Sequence, residues 1–320
     1  MTENCLFPVV VAEKVEETAE ILSIRLTAPD GGRLPAWTPG AHIDVRLPSG
    51  LVRQYSLNSD YHALDSYRIG VLKEQVGRGG SLELHRDVEV GTELLIRPPR
   101  NRFELVLADR YLFIAGGVGI TPILSMIAQA EELRRPWKLV YGARSREAMA
   151  YLPELQARIG GEVVLVPQDE EGVLDLEGIL RHAGTETVYA CGPAVMLAVL
   201  EEKAAQILGP GKLRIERFGA PPEDVPAAGR ENQPFELELA RTGVTVTVGA
   251  DRTTLEVILD HLPDYLYGCQ EGYCGTCITS VASGVPEHRD SCLTGPEHES
   301  NLLMTPCVSR ARSLRLVLDI

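Results

Sequence analysis

Four cysteines in the last third of the chain constrain its fold more than any other feature. Cys269, Cys274 and Cys277 are spaced as Cys-x4-Cys-x2-Cys, and 29 residues separate Cys277 from Cys307. In a chain without an export signal, clustered cysteines are more often metal ligands or redox groups than disulfides. We therefore expect a C-terminal domain that brings four thiols from two segments to one site.

This spacing matches the plant-type pattern in which four thiolates hold a [2Fe-2S] cluster. Small residues between the ligands let backbone N–H groups turn toward the sulfurs, and the chain has them at Gly268, Gly272, Gly275 and Thr276. A structural zinc site is the alternative, but zinc sites usually have paired Cys-x2-4-Cys arms. Cys292 is an alternative fourth ligand, although an ordinary thiol is the favoured interpretation of this residue.

Length and charge restrict the class of protein. With 320 residues the chain is long enough for two or three domains. Acidic residues outnumber basic ones by 45 to 31, and the formal charge of -14 repels nucleic acid and anionic membrane surfaces.

Residues 1–11 do not resemble a secretory signal, so the cytoplasm is the expected location. The nearly uncharged stretch 111–128 is long enough to span a membrane, but its central glycines and proline favour a strand, a turn and a helix.

The order of predicted elements divides the chain into parts. The first hundred residues have short strands at 21–27, 42–47, 67–72 and 93–96, which predicts a small antiparallel barrel. Strands then alternate with helices, which predicts a doubly wound parallel sheet. The strands of this part are expected at 111–115, 138–141, 163–166 and 187–190, and the helices at 122–133, 174–182 and 194–207.

A proline-rich, charged segment without periodicity separates these parts from a third one. Two alternating runs, 235–239 and 244–248, follow it and predict a hairpin. We therefore expect domains at 1–105, 106–220 and 235–320, with a linker at 221–234.

Several motifs together resemble the phthalate dioxygenase reductase family. They are residues 268–277, Glu287-His-Arg-Asp290, Met304-Thr-Pro-Cys307 and Ser309-Arg-Ala311, which resemble the C-terminal ferredoxin domain of that family. The resemblance covers nearly the whole chain and implies a multidomain fold of β and α/β parts. These parts are an antiparallel flavin-binding β-barrel, a doubly wound parallel α/β nucleotide-binding domain and a C-terminal β-grasp [2Fe-2S] ferredoxin domain.

The resemblance also implies a function. The chain is expected to be an NAD(P)H-dependent oxidoreductase that moves electrons through FMN to a [2Fe-2S] cluster held by Cys269, Cys274, Cys277 and Cys307. The electrons then pass to a terminal oxygenase by transient contact. A Rieske-type aromatic-ring oxygenase or an O-demethylase is the expected partner, and a cytochrome P450 is the alternative. We expect a monomer with no nucleic-acid or membrane partner.

Three segments match the flavin-binding elements of the family. In the motif Arg53-Gln-Tyr55-Ser56, the family places the arginine at the flavin phosphate, the tyrosine ring along the isoalloxazine and the serine near flavin N5. A fixed cation, an aromatic face and a small donor suit these tasks. The other two elements are Gly70, Leu72 and Lys73, and Gly79, Gly80 and Ser81. The family binds FMN there without an adenosine-holding loop, which favours FMN over FAD, whereas the segments alone also fit a strand end and a flexible turn.

Two turns match the nicotinamide-binding elements. Thr121 is expected to cap a helix that begins at Pro122, and the family binds the coenzyme at this turn and at a Cys-Gly-Pro turn. The residues concerned are Gly117, Gly119, Thr121, Cys191, Gly192 and Pro193. The family also packs an aromatic side chain, here Phe218, against the flavin. The candidate catalytic residues are therefore Ser56, Thr121, Cys191 and Phe218, although a lone buried cysteine before a helix is also common.

The choice of coenzyme depends on the loop Arg144-Ser145-Arg146. Arginines near this position accommodate the 2'-phosphate of NADPH in dinucleotide folds, but two arginines in a loop are also commonly solvated charges. The family favours NADH, and the local residues leave NADPH open. A terminal flavin enzyme that reduces a small substrate directly is a rival hypothesis, but the seven histidines form no recognisable acid–base motif.

Overall fold

The computed structural model describes residues 6–75, 79–219 and 232–320. The chain divides into two compact units, Met1–Arg217 and Phe218–Ile320. The predicted linker 221–234 lies outside the described residues except for its last three. Among the residues described, no helix combines the length and the apolar character that crossing a membrane requires. The stretch 111–128 forms the strand, turn and helix that its glycines predict.

An antiparallel sheet forms the first part of the larger unit. Its elements are β1 (Phe7–Glu16), β2 (Ile21–Thr27), β3 (Ala41–Arg46), β4 (Val52–Ser56), β5 (Ser66–Leu72), α1 (Gly80–Arg86), β6 (Glu93–Ile96) and β7 (Arg100–Asn101). The strand order is β4-β3-β6-β1-β2-β5, with β7 paired to β3. An isolated antiparallel bridge joins Leu57, just after β4, to Ile69 on β5. Alternating side chains such as Ile24, Ile43 and Ile69 are fully buried on one face.

The four strands predicted here are confirmed within one or two residues. Strand β1 was not predicted, because Val9-Val10-Val11 form a continuous apolar run that interrupts the alternation typical of a half-buried strand. The register of β1 against β2 shifts between Val11 and Glu13, which is the signature of a β-bulge.

A parallel sheet with helices forms the rest of the larger unit. Its elements are β8 (Tyr111–Gly116), α2 (Ile120–Glu132), β9 (Trp137–Ala143), α3 (Leu152–Gln156), β10 (Glu162–Pro167), α4 (Gln168–Glu171), α5 (Leu176–Arg181), β11 (Thr187–Cys191), α6 (Ala194–Ile207) and β12 (Leu213–Glu216). The strand order is β10-β9-β8-β11-β12, so the order reverses between β8 and β11. Ligands of open α/β sheets bind outside the carboxyl ends of the strands at such a switch point. The predicted doubly wound domain is confirmed.

Thr121 does not cap α2, contrary to the prediction. A short 3₁₀ turn, Gly117–Gly119, follows β8 directly, so α2 already begins at Ile120 with Gly119 as its N-cap. The Thr121 hydroxyl lies inside the helix and donates to the carbonyl oxygen of Val118 at 2.9 Å. Thr121 is therefore not the N-cap residue of α2.

The smaller unit contains a mixed sheet. Its elements are β13 (Phe235–Leu239), β14 (Val244–Val248), α7 (Thr254–His261), β15 (Thr279–Ser283), β16 (Pro286–Glu287), α8 (Gly295–Ser300), β17 (Leu303–Met304), β18 (Arg310–Ala311) and β19 (Arg315–Leu318). The strand order is β14-β13-β19-β15-β17, and β16 pairs with β18. The predicted hairpin of β13 and β14 is confirmed. Helix α7 has a full capping box, in which Thr253 and Glu256 satisfy each other's backbone N–H groups.

Candidate functional site

The four cysteine sulfurs of the predicted cluster converge in the smaller unit. The Sγ atoms of Cys277 and Cys307 lie 3.3 Å apart, and the Cys269 thiol contacts those of Cys274 and Cys307. Cys269, Cys277 and Cys307 are buried and Cys274 is half-buried. A sulfur separation of 3.3 Å is far longer than a disulfide bond, so these cysteines are not joined by disulfides. This set of closely spaced sulfurs fits the requirements of a [2Fe-2S] cluster.

Backbone N–H groups point at these sulfurs, as the small residues of the loop predict. The amide of Cys269 lies 3.3 Å from Cys274 Sγ, and the amide of Glu271 lies 3.3 Å from Cys269 Sγ. Gln270, Gly272 and Gly275 have positive φ values of 56°, 78° and 67°. This left-handed backbone is what turns the amides toward the thiols. Such N–H contacts stabilise thiolate sulfur and raise the reduction potential of a bound cluster.

A buried carboxylate supports the cluster loop, and the sequence analysis gave it no role. Asp290 accepts hydrogen bonds from the amide of Leu293 at 2.9 Å and from His298 Nε2 at 3.2 Å. The amide of the next residue, Ser291, donates to the carbonyl of Gly272 at 3.0 Å. A Cβ on Gly272 would lie 3.1 Å from Asp290 Cα. Asp290 thus fixes the backbone against which the ligand loop packs.

Cys292, the alternative fourth ligand, points at this network. Its Sγ lies 3.6 Å from Asp290 Oδ2, whereas Cys307 Sγ contacts another thiol of the set. Burial and the Asp290 carboxylate raise the pKa of Cys292. The Cys292 thiol is thus a hydrogen-bond partner of Asp290, whereas Cys307 lies among the other thiols of the predicted cluster.

The predicted flavin residues of the larger unit lie on neighbouring strands. Arg53 and Tyr55 are on β4, and burial raises the pKa of Tyr55, so its phenol keeps its proton. A Cβ on Gly80, the first residue of α1, would lie 2.6 Å from Arg53 Nε. The guanidinium therefore rests against the start of α1, where Gly79 has a φ of 83°. A fixed cation beside free helical N–H groups can accept a phosphate.

The remaining residues of these elements have simpler surroundings. The Ser81 hydroxyl accepts from the amide of Glu74 at 3.1 Å, which ties the first turn of α1 to the segment after β5. Lys73 is half-buried and its amide donates to Glu20 O at 2.8 Å. Leu72 packs on the apolar core around α2.

Both predicted coenzyme turns meet at the switch point of the parallel sheet. A Cβ on Gly119 would lie 2.2 Å from the carbonyl oxygen of Cys191, and one on Gly116 would lie 2.6 Å from Pro193 Cδ. On the other side, a Cβ on Gly70 would lie 2.6 Å from Thr121 Cγ2. The missing side chains let the Gly-rich turn, the Cys-Gly-Pro turn and β5 approach one another. A flavin ring held at β4 and β5 and a nicotinamide held at these turns would therefore be neighbours.

Glu216 is a further polar residue of this region, and the sequence analysis assigned it no role. The parallel register pairs Glu216 on β12 with Cys191 on β11, and Ser56 Oγ donates to Glu216 Oε2 at 3.2 Å. Burial raises the pKa of Glu216 to about 8, against the opposing effect of the Ser56 hydrogen bond. Burial and Glu216 also raise the pKa of Cys191. The Glu216 carboxyl thus accepts a hydrogen bond from one candidate catalytic residue, Ser56, and helps raise the pKa of another, Cys191.

Replacing Glu216 by glutamine should make the protein less sensitive to alkaline pH. Because the pKa is higher in the folded than in the unfolded state, ionisation costs folding free energy progressively as pH rises from about 4.5 to about 8. Glutamine keeps the shape and does not ionise. Between pH 6 and pH 9 we expect the variant to gain about 2 kcal/mol relative to wild type, measured by urea unfolding. A stability difference that is independent of pH would contradict the raised pKa.

Two further predicted elements are the coenzyme loop and Phe218. Arg144, Ser145 and Arg146 follow β9, and both arginine side chains reach solvent. Phe218 begins the smaller unit, and 38% of the residue is exposed. Its predicted packing on the flavin stays a prediction.

Two domain families match the chain. The family described as "Oxidoreductase NAD-binding domain" matches residues 113–202, which include both coenzyme turns. The family described as "2Fe-2S iron-sulfur cluster binding domain" matches residues 237–312, which include the four cysteines. Fold and site therefore define an oxidoreductase with an NAD-binding and a [2Fe-2S] domain.

Whole-chain relatives narrow this class. The vanillate O-demethylase oxidoreductase of Pseudomonas putida is 40% identical, over 97% of this chain and 99% of its own length. The solved structure of a phthalate dioxygenase reductase, described as a modular structure for electron transfer from pyridine nucleotides to [2Fe-2S], matches with a TM-score of 0.73 and 33% identity over 99% of both chains. An intact type IV self-sufficient cytochrome P450 monooxygenase matches with a TM-score of 0.85 and 34% identity, over 98% of this chain and 41% of its own.

The chain belongs to the phthalate dioxygenase reductase family. Its class is that of reductase components of oxygenase systems, which take electrons from NAD(P)H through a flavin to a [2Fe-2S] cluster. FMN, NADH and the [2Fe-2S] cluster are the cofactors of this family, and the predicted cofactors are confirmed. A reductase component implies a terminal oxygenase as its partner.

Proposed function

We propose that the chain oxidises NADH and delivers single electrons to a Rieske-type aromatic-ring oxygenase or O-demethylase. The convergence of four cysteine sulfurs, three of them in a loop whose amides point at the sulfurs, is the observation that carries this proposal. When bound, FMN takes up two electrons as a hydride from NADH and releases them one at a time. A cytochrome P450 stays the alternative partner, because a fused P450 monooxygenase contains a region similar to this chain.

Each predicted site residue has a proposed task. Arg53 and the start of α1 would hold the FMN phosphate, while Gly119 and the Cys191–Pro193 turn would hold the nicotinamide half of the coenzyme. Ser56 would lie near the flavin ring, while its single hydroxyl proton is donated to the Glu216 carboxyl. The Glu216 carboxyl supplies a proton reservoir near neutral pH. The buried side chains around these turns would exclude water from the hydride path.

The finer architecture is also a proposal. The bridge between Leu57 and Ile69 would close the antiparallel sheet into a flavin-binding barrel, because Leu57 follows β4 and Ile69 is on β5, and these are the two end strands. The mixed sheet of β13–β15, β17 and β19 with helix α7 would be a β-grasp ferredoxin domain. The domain limits 1–105, 106–220 and 235–320 stay predictions beside the two compact units.

The proposed partner contact is small and transient. The loop 272–276 would form it, since Cys274 is the least buried ligand and lies there. Electron-transfer encounters bury little surface, so one copy of the chain is enough to form the contact. We therefore propose a monomer, located in the cytoplasm. The charge of -14 argues against nucleic acid and membrane partners.

The visible spectrum of the purified protein tests this function. Flavin and iron-sulfur bands should be present and should bleach when NADH is added without oxygen. A protein that stays colourless after incubation with FMN, iron and sulfide would overturn the proposal and favour the structural zinc site. A protein whose flavin bleaches while no cluster band is present would favour the terminal flavin enzyme.

Replacing Arg53 by glutamine should weaken FMN binding by about ten- to a hundredfold, because a charge-assisted hydrogen bond contributes about 1.5–3 kcal/mol. Fluorescence titration of the deflavinated protein measures this change. Arg46→Gln is the matched control. Arg46 is exposed and pairs with Val52, the neighbour of Arg53 on β4. Because successive side chains of a strand point to opposite faces, the Arg46 side chain lies on the face opposite to that of Arg53. Equal losses in both variants would show that Arg53 has no specific phosphate contact.

A further inference from the structure

The loop after β9 lies where the adenosine ribose of the coenzyme is expected, and the inference drawn from it rests on the proposed function. Strand β9 lies next to β8, which leads into the Gly-rich turn. In doubly wound dinucleotide folds the adenosine ribose lies near the end of this second strand, where an acidic residue favours NAD and an arginine favours NADP. The residues of the loop are Arg144, Ser145, Arg146 and Glu147.

Arg146 is held by a carboxylate of the neighbouring strand connection. Its Nε lies 3.3 Å from Glu170 Oε1, and its Nη2 lies 3.0 Å from Glu170 Oε2. This two-point contact uses the edge of the guanidinium that would otherwise grip a phosphate. Glu170 is on α4, directly after β10, the strand that pairs in parallel with β9.

The charge around Arg146 is negative. Asp169, Glu170 and Glu171 follow one another on α4, and the amide of Asp169 donates to the carbonyl of Arg144 at 3.2 Å. Glu170 first, and Glu147 and Glu171 after it, raise the pKa of Arg146. Arg144 has its own carboxylate neighbour, Glu20, at 3.9 Å.

We infer that Glu170, supported by Glu147 and Glu171, makes the protein selective for NADH by neutralising Arg146 and repelling a 2'-phosphate. A 2'-phosphate carries about -1.5 to -2 charges at pH 7 and would have to displace Glu170 from Arg146 among the remaining carboxylates. A free ribose 2'-hydroxyl carries no charge and can donate to a carboxylate in the same place. The residues of the loop alone left both coenzymes open, because the pairing of Arg146 with a residue 24 positions away is a tertiary contact.

Glu170→Gln tests this inference with a readout separate from turnover. Isothermal titration of the oxidised holoprotein with adenosine 5'-monophosphate and with adenosine 2',5'-bisphosphate reports the subsite directly. Removal of one charge about 5 Å from a dianion should tighten bisphosphate binding by about three- to tenfold at low ionic strength. Binding of the monophosphate should change by less than about twofold.

Two further variants make the test specific. Glu162→Gln removes the same charge at the opposite end of β10, about 20 Å along the strand, where Glu162 pairs with Lys138. It should leave both affinities unchanged. Adding Arg146→Ala to Glu170→Gln should abolish the gain for the bisphosphate, because the freed guanidinium is then absent.

The outcomes separate this inference from the proposed function. Wild type that binds the monophosphate better than the bisphosphate, with the ratio reversed or reduced by Glu170→Gln, supports the selectivity role. An unchanged bisphosphate affinity in Glu170→Gln, or a wild type that prefers the bisphosphate, overturns it while leaving NAD(P)H oxidation intact. Absence of binding by either nucleotide in a holoprotein that NADH does not bleach would overturn the proposed function itself.

Discussion

Cys307→Ser should lower NADH-dependent cytochrome c reduction by about a hundredfold or more, while NADH–ferricyanide activity stays within about twofold of wild type. Mutating a residue that only hydrogen-bonds a metal ligand already changes metal affinity or activity by about 10–100-fold, so loss of a ligand itself should cost at least as much. A serine hydroxyl is also a harder ligand than a thiolate and is less suited to an iron–sulfur cluster. Ferricyanide takes electrons from the flavin, whose predicted residues lie in the other compact unit. Iron content and both activities are measured on the same preparation.

Cys292→Ser is the matched control for this prediction. Both residues follow the Cys-x4-Cys-x2-Cys loop, but Cys292 Sγ contacts Asp290 whereas Cys307 Sγ contacts Cys277. The control should keep two irons per chain and both activities. If Cys292→Ser loses iron and Cys307→Ser does not, the fourth ligand has been assigned wrongly. If Cys307→Ser loses both activities equally, the order of electron flow from flavin to cluster is wrong.

Local sequence signals were sufficient for much of the fold. Helix α6 has the predicted bounds, because its apolar residues recur at helical spacing between Pro193 and the break at Leu208. The hairpin of β13 and β14 has the predicted bounds as well, since both strands alternate and a four-residue turn joins them. The helix that follows β8 was predicted less well, because the 3₁₀ turn before Ile120 depends on how Gly119 packs against Cys191.

Tertiary contacts explain what the sequence could not provide for the site. Glu216 acquires its position from the parallel register of β11 and β12 and from Ser56, 160 residues earlier in the chain. Asp290 acquires its role from the packing of its backbone on Gly272. The local sequence signal for Asp290 was the Glu-His-Arg-Asp motif. The local signal for Glu216 was its position two residues before Phe218, near the end of the predicted coenzyme domain. Neither signal indicates a hydrogen-bond partner.

Gly119→Ala should slow the anaerobic reduction of the flavin by NADH by about a hundredfold, because misplacing a substrate by about 1 Å can cost that much. Gly119 has a φ of -62°, which alanine adopts readily, so the backbone conformation is not the obstacle. The obstacle is space, since the new Cβ would lie 2.2 Å from the carbonyl oxygen of Cys191 and 2.7 Å from the amide nitrogen of Gly192.

The carbonyl cannot yield easily, and this is why the effect should fall on the coenzyme and not only on stability. Cys191 ends β11, which is paired with β8 on one side and β12 on the other, so the two turns must separate at the point where the nicotinamide is proposed to bind. Overpacking of this kind also costs about 1–3 kcal/mol of folding free energy. Gly209→Ala, in open space with no positive φ, is the control and should match wild type. Stopped-flow reduction with NADH, compared with reduction by dithionite, separates the two effects. Equal slowing by both reductants, or normal NADH reduction in Gly119→Ala, would show that contact between these turns does not position the coenzyme.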